Sequence, residues 1–285
     1  PALREITIWN LLTHTSGLTY GFHYAHVVDA IYRANGYDFG TPPGLGLAEI
    51  CDQFASLPLL FQPGDEWNYS VATDVLGRVV EVASGLTLDQ FFKSKIFDPL
   101  GMKETGFWVD ESDAARVATL YAFEPKSRSR SSLASIAPAH TSPPSYLSGG
   151  GGLYSSLSDY YRFTRMLLND GTLDGVRLLS SRTLKYMRSN HLPGGADLET
   201  FGRPLNAEAS SEGVGFGLGF SVVIDPIRTK SVGSAGTFGW GGAASTVFSI
   251  DPQEELVVMF LTQLLPSSTY PIRPELQQLV YASLR

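Results

Sequence analysis

A single cysteine in 285 residues leaves no possibility of an intrachain disulfide. Cys51 stands in the apolar stretch "AEICDQFASL", where a small buried hydrophobe is the expected role. Long apolar runs are missing too. The longest, "LVVMFL" at Leu256 to Leu261, is far too short to cross a bilayer and reads as a core strand. Cationic stripes are scarce: 21 Lys and Arg face 28 Asp and Glu, a net charge of −7. The densest basic stretch, "KSRSR" at Lys126 to Arg130, lies among serines and reads as a solvated loop, which argues against a nucleic-acid partner. Of the five histidines, only His23 and His26 stand three apart, and no third ligand follows in a recognisable spacing, so no metal site is expected. His14, inside "LLTHTSGL", reads as a hydrogen-bonded loop residue. No G-x-S-x-G nucleophile elbow occurs. No leader is visible either, but the chain opens on Pro1 rather than Met, so its natural N-terminus is expected to lie upstream and the compartment stays open, with the cytoplasm as default.

What is present is ordinary globular material, 43% hydrophobic and 17% charged, and long enough for a substantial core. "IWNLLTHTSGL" reads as a short apolar helix ending at Gly17. Val71, Val75, Leu76, Val79 and Val80 recur at helical spacing, with Ser70 as N-cap and Gly85 as the C-terminal stop. Thr87 opens a further helix that stops near "DPLGM", and Ser158 caps another that ends at Gly171. The last seventy or so residues change character. "GFGLGFSVVID", "SVGSAGTFG", "GAASTVFSID" and "ELVVMFLTQ" read as successive antiparallel strands, with the glycines at 213, 215, 217 and 219 on one strand face. "RPELQQLVYASLR" closes the chain as an amphipathic helix with Pro274 in its first turn. The expected division is a helix-rich part over 1–205 and, over 206–285, antiparallel strands with a terminal helix packed on them.

Two stretches invite a chemical reading. Tyr69, in "EWNYSVATD", sits at the positive end of a helix, a place that suits either a packing tyrosine or a phenolate. "GWGGAAST" puts two glycines in a strand, which marks a bulge or a close approach by something else.

Five motifs occur in order: "LLTHTSGL", "FQPGDEWNYSVATDVLGRVVEVASG", "IFDPLGMKETGF", "SGGGGLYSSLSDYYRF" and "GWGGAASTVFSIDP". Together they resemble the serine β-lactamase-related hydrolases, most closely the family VIII carboxylesterases and class C β-lactamase-like proteins. The resemblance spans nearly the whole chain and implies an α/β fold, an antiparallel sheet flanked by helices plus a helix-rich domain. It also implies three catalytic elements: S-x-x-K, a Y-x-N tyrosine motif and a K-T-G-like triplet. Tyr69 matches the tyrosine, which would act as base with the motif's lysine. Trp240, Gly241 and Gly242 match the triplet, and Ala243 then falls where a backbone N–H completes the oxyanion hole. The resemblance places S-x-x-K upstream of "LLTHTSGL". None of the six lysines here has serine or threonine three residues before it, so the nucleophile is expected to lie outside this chain, which alone would be inactive.

The departures bear on substrate. Trp240 stands where lactamases and peptidases carry a lysine for the substrate carboxylate, and Val71 replaces the asparagine that binds an amide. Both changes favour a small neutral ester over a charged amide or lactam, so the resemblance implies a carboxylesterase working through an acyl-enzyme without metal or organic cofactor. An acyltransferase, a β-lactamase or D-alanyl-D-alanine peptidase-like enzyme, and a non-catalytic binding homologue remain the alternatives. Oligomeric state is not legible.

Overall fold

Thr7 and Asn10 cap each other around "IWNLL", which forms α1 (Ile8–Leu12). α1 stops at Leu12, short of Gly17, because His14 takes a left-handed backbone (φ +54°) that a helix cannot continue. The structure, a computed structural model, describes residues 2–135, 139–203 and 211–285. α2 (Val27–Ala34), α3 (Leu47–Ser56) and α4 (Ala72–Ser84) follow. They bury Tyr32, Ile50, Phe54 and Ala72 in a helical core with Leu11 and Leu18. Cys51 lies on α3, and burial pushes its thiol up to about 12, the environment of an inert side chain. α4 is capped one residue later than the sequence suggests, at Val71, although the Ser70 hydroxyl still accepts from the Ala72 N–H at 3.3 Å. α5 (Leu88–Phe92) runs through a π-helical turn (Lys93–Phe97) into α6 (Asp98–Leu100), ended by Gly101. A hairpin of β1 (Tyr121–Glu124) and β2 (Ser129–Ser132) comes next, and α7 (Leu157–Leu168) begins from Ser156 rather than Ser158. Ser156 wins because its hydroxyl reaches the Asp159 N–H at 3.3 Å.

A small ribbon, β3 (Thr172–Leu173) with β4 (Val176–Arg177), leads to α8 (Ser181–Met187) and α9 (Leu198–Phe201). Five strands then form one antiparallel sheet in chain order: β5 (Val214–Phe216), β6 (Ser221–Val223), β7 (Phe238–Gly241), β8 (Val247–Asp251) and β9 (Leu256–Phe260). "GFGLGFSVVID" is therefore a hairpin and not one strand. Gly215 pairs with Val222, while Gly213 and Gly219 occupy turns at positive φ, so the four glycines do not share a face. Register pairs Phe238 with Ile250 and Trp240 with Phe248, placing these four on the face that packs with α7 and α8 through Met166, Leu167 and Leu184. β9 is one of the two edge strands of this sheet among the described residues and only half-buried, less enclosed than its composition suggests. β10 (Leu264–Leu265) leaves this sheet and pairs in parallel with β1. α10 (Ile272–Ser283) covers the opposite face, where the Tyr281 hydroxyl donates to Asp251 Oδ2 at 2.6 Å. A third cluster, Trp67, Leu192, Leu198 and Phe216, joins helical and sheet portions across the 205/206 division.

One buried carboxylate ties the glycine-rich loop to α4. Asp74, 3% exposed, accepts from the Ser148 hydroxyl at 2.6 Å and from the Gly150 N–H at 3.1 Å. A Cβ on Gly150 would lie 3.0 Å from both Asp74 Oδ2 and the Tyr20 hydroxyl, so a larger residue would crowd this approach. Asp74→Ala would leave these donors unpaired, at about 1–3 kcal/mol each. Urea unfolding of the 285-residue chain should show a loss of about 3 kcal/mol, and Asp74→Asn, which keeps the acceptor oxygen, a smaller one. An unchanged midpoint in Asp74→Ala would show that the loop is held by other contacts.

Candidate active site

The start of α4 and the end of β7 bring Tyr69 and Trp240 together. Backbone contacts fix Tyr69 first. Its carbonyl accepts from His23 Nε2 at 2.6 Å and from Asn68 Nδ2 at 3.2 Å, while the Asn68 N–H donates to the His14 carbonyl at 2.9 Å. The phenol ring then lies among four others, with centroids 5.1 Å from His14, 5.1 Å from Tyr20, 5.3 Å from Trp240 and 6.5 Å from His23. The Trp240 indole N–H and the Tyr20 hydroxyl lie near its oxygen and favour its ionised form. Trp67 and Phe216 pack behind Trp240, at 6.4 and 5.4 Å.

Burial raises the Tyr69 pKa above the ordinary phenol value, and the two donors, which pull it down, are outweighed. The helix start does not make this phenol acidic, so a phenolate at neutral pH needs a neighbouring cation. His14 is held neutral. It is 5% exposed, its Nδ1 lies 3.2 Å from Ser70 Oγ, and burial followed by repulsion from His23 lowers its pKa to about 3.

β-strand alternation puts Gly241 on the side away from Trp240, where α10 lies. A Cβ there would stand 2.6 Å from the Arg273 guanidinium carbon, so the glycine permits a close approach by Arg273. Gly242 similarly makes room for the Thr246 hydroxyl. The chain then turns: the Ser245 N–H donates to the Gly242 carbonyl at 3.1 Å and the Gly242 N–H to the Thr246 carbonyl at 2.9 Å. β10 pins the turn from outside, through Ser245 Oγ to the Leu264 carbonyl at 2.7 Å and the Leu264 N–H to the Ala244 carbonyl at 3.0 Å. Ala243 is exposed at the corner, and among the described residues its N–H has no protein partner. Val71 departs from its expected place: 5% exposed, it belongs to the helical core and not to the ring cluster around Trp240.

Sequence reading did not single out Tyr20, Asp74 or Arg273, since none sits in a recognisable spacing with Tyr69 or Trp240. Nor do His23 and His26 share a helical face. His23 ends a 3₁₀ turn (Gly21–His23), while His26 caps α2 by accepting from the Val28 N–H at 3.2 Å. Among the described residues no group of three or more His, Cys, Asp or Glu could hold a metal ion.

The fold and this pairing of a tyrosine with a strand-end turn define a class, and comparison with known proteins names it. The family model described as Beta-lactamase matches residues 1–282, and the chain belongs to that family. It is 41% identical over 270 residues to Protein Rv1367c of Mycobacterium tuberculosis, covering 93% of this chain and 64% of that protein. Esterase EstB of Burkholderia gladioli is 32% identical over 295 residues, covering 97% of this chain and 70% of the esterase. Among solved structures, EstCE1, a hydrolase with promiscuous acyltransferase activity, superposes with a TM-score of 0.79 at 27% identity, over 99% of this chain and 74% of its own. The chain thus spans 64% of the length of the mycobacterial relative.

Proposed function

We propose that this chain is the tyrosine- and oxyanion-bearing portion of a serine hydrolase that acts through an acyl-enzyme on small, neutral, hydrophobic esters. The carrying observation is the Trp240–Tyr69 pair. An indole takes the place of a substrate-binding cation, packs against the phenol with ring centroids 5.3 Å apart, and offers an apolar face continuous with Trp67 and Phe216. The nucleophilic serine and its lysine come from an S-x-x-K segment outside these 285 residues, so the chain by itself is inactive. The serine attacks the ester carbonyl and its proton passes to Tyr69, held as phenolate beside the lysine ammonium. Charge developing on the carbonyl oxygen is met by the Ala243 N–H and the serine's own N–H. Collapse of the tetrahedral intermediate expels the alcohol, which takes the proton back from Tyr69, and water repeats the sequence to release the acid. Delivery of the acyl group to an alcohol would use the same steps. EstCE1, described as a hydrolase with acyltransferase activity, favours keeping this second reading.

The test is a comparison of substrates on the protein expressed with the coding sequence upstream of Pro1. A short-chain p-nitrophenyl ester should be turned over with a higher kcat/KM than a chromogenic cephalosporin. The reverse order would overturn the ester preference. Turnover by the purified 285-residue chain would overturn the external nucleophile.

A further inference from the structure

Arg273 is a cation in an unfavourable place. It is the second residue of α10, where the unpaired N–H groups of a helix start favour anions. Its guanidinium reaches the β7–β8 turn. Nη2 donates to the Gly242 carbonyl at 2.6 Å and to the Thr246 carbonyl at 2.9 Å, bridging the two arms of the turn. Gly241 has no side chain, and any Cβ would collide with this group.

The Gly242 carbonyl and the Ala243 N–H belong to one peptide group. That group is planar and nearly rigid, so whatever holds its oxygen also sets the direction of its N–H. A charged donor on the oxygen does more than hold it. It draws electron density from the amide nitrogen and strengthens the N–H as a donor, the cooperativity expected along a chain of hydrogen bonds. We propose that Arg273 is a positioning residue for catalysis: it aims and polarises the Gly242–Ala243 peptide so that the Ala243 N–H binds the oxyanion. Arg273 touches no substrate and transfers no proton. Gly241 is then a glycine for the sake of Arg273, and the triplet, the turn and α10 form one device. The inference rests on the reading of Ala243 as an oxyanion donor.

Arg273→Gln in the upstream-extended protein is expected to lower kcat for a short ester by about 10–100-fold, part of what loss of a whole donor costs, with KM nearly unchanged. Gly241→Ala, which displaces the guanidinium while leaving Arg273 in the sequence, should reproduce the loss. Added methylguanidine should restore part of the activity of Arg273→Ala. In the 285-residue chain, the Ala243 amide proton should move upfield in Arg273→Gln while amides of the helical core stay in place. A kcat unchanged in Arg273→Gln would overturn the proposal. So would a loss accompanied by a lowered unfolding midpoint and no methylguanidine rescue, since that marks a merely structural role. If the unsubstituted extended protein hydrolyses no ester, the hydrolase reading falls, and with it the catalytic role of Arg273. The Ala243 shift then reports only whether the clamp polarises that peptide.

Discussion

Tyr69→Phe in the protein carrying its upstream sequence is expected to slow ester acylation by about 100-fold or more, within the ~10²–10⁴ that a positioned acid–base group contributes. The substitution removes one oxygen and leaves the ring contacts with His14, Tyr20 and Trp240 in place. It also removes the oxygen near the Trp240 N–H and the Tyr20 hydroxyl, so a change in stability can accompany it. Acylation should therefore be measured by burst kinetics per folded molecule, alongside the unfolding midpoint. An unchanged burst rate would return Tyr69 to packing and remove the main support for the proposed mechanism.

The second large effect is on pH dependence and can be read in the 285-residue chain. His14 has its pKa lowered from 6.5 to about 3, by burial and then by His23. The unfolded chain takes up a proton as pH falls through about 6.5, and the folded chain does not until about 3. Stability from this group is thus complete above 6.5 and is lost as pH falls across that window. The slope is about 1.4 kcal/mol per pH unit, on the order of 5 kcal/mol across the whole range. His14→Gln keeps a polar side chain beside Ser70 and abolishes the titration. Urea midpoints measured from pH 7 down to 4 should fall less steeply in His14→Gln than in the unsubstituted chain. Parallel slopes would show that the acid sensitivity comes from elsewhere, for instance from Asp197, whose pKa is held low by hydrogen bonds from Gly213 and Thr200 that outweigh burial.

The parts of the site that could be read in the sequence are those whose meaning is local. "EWNYS" and "GWGGA" each carry their chemistry within five residues, and the structure brings Tyr69 and Trp240 into contact. The partners were hidden because only tertiary packing supplies them. Tyr20 follows "THTSGL" with no spacing that points to Tyr69. The signal for Arg273 was an anomaly, a cation in a helix's first turn. The alternating glycines from 213 to 219 misled for a physical reason: period two fits one long strand and a hairpin equally well, and the positive φ of Gly213 and Gly219 decides between them. Ser156 and Ser158 are equivalent as letters, and only the reach to the Asp159 N–H separates them. The β1–β2 ribbon escaped notice because an exposed hairpin lacks the apolar alternation that betrays a buried one. Val71 was read for its chemistry at a motif position, whereas its burial with Leu11 and Phe54 makes it part of the core.

The pairing of Tyr121 with Leu264 also sets an order in time. Roughly 140 residues separate the two strands, which at ~5–20 residues per second is on the order of 10 s of synthesis. β2 can fold back on β1 at once, but the other edge of β1 waits for β10. The turn that bears Ala243 waits with it, since Leu264 and Arg273 hold it and both are made after it. A ribosome-bound chain therefore carries Tyr69 and the whole of α4 well before the Ala243 turn has the contacts that hold it.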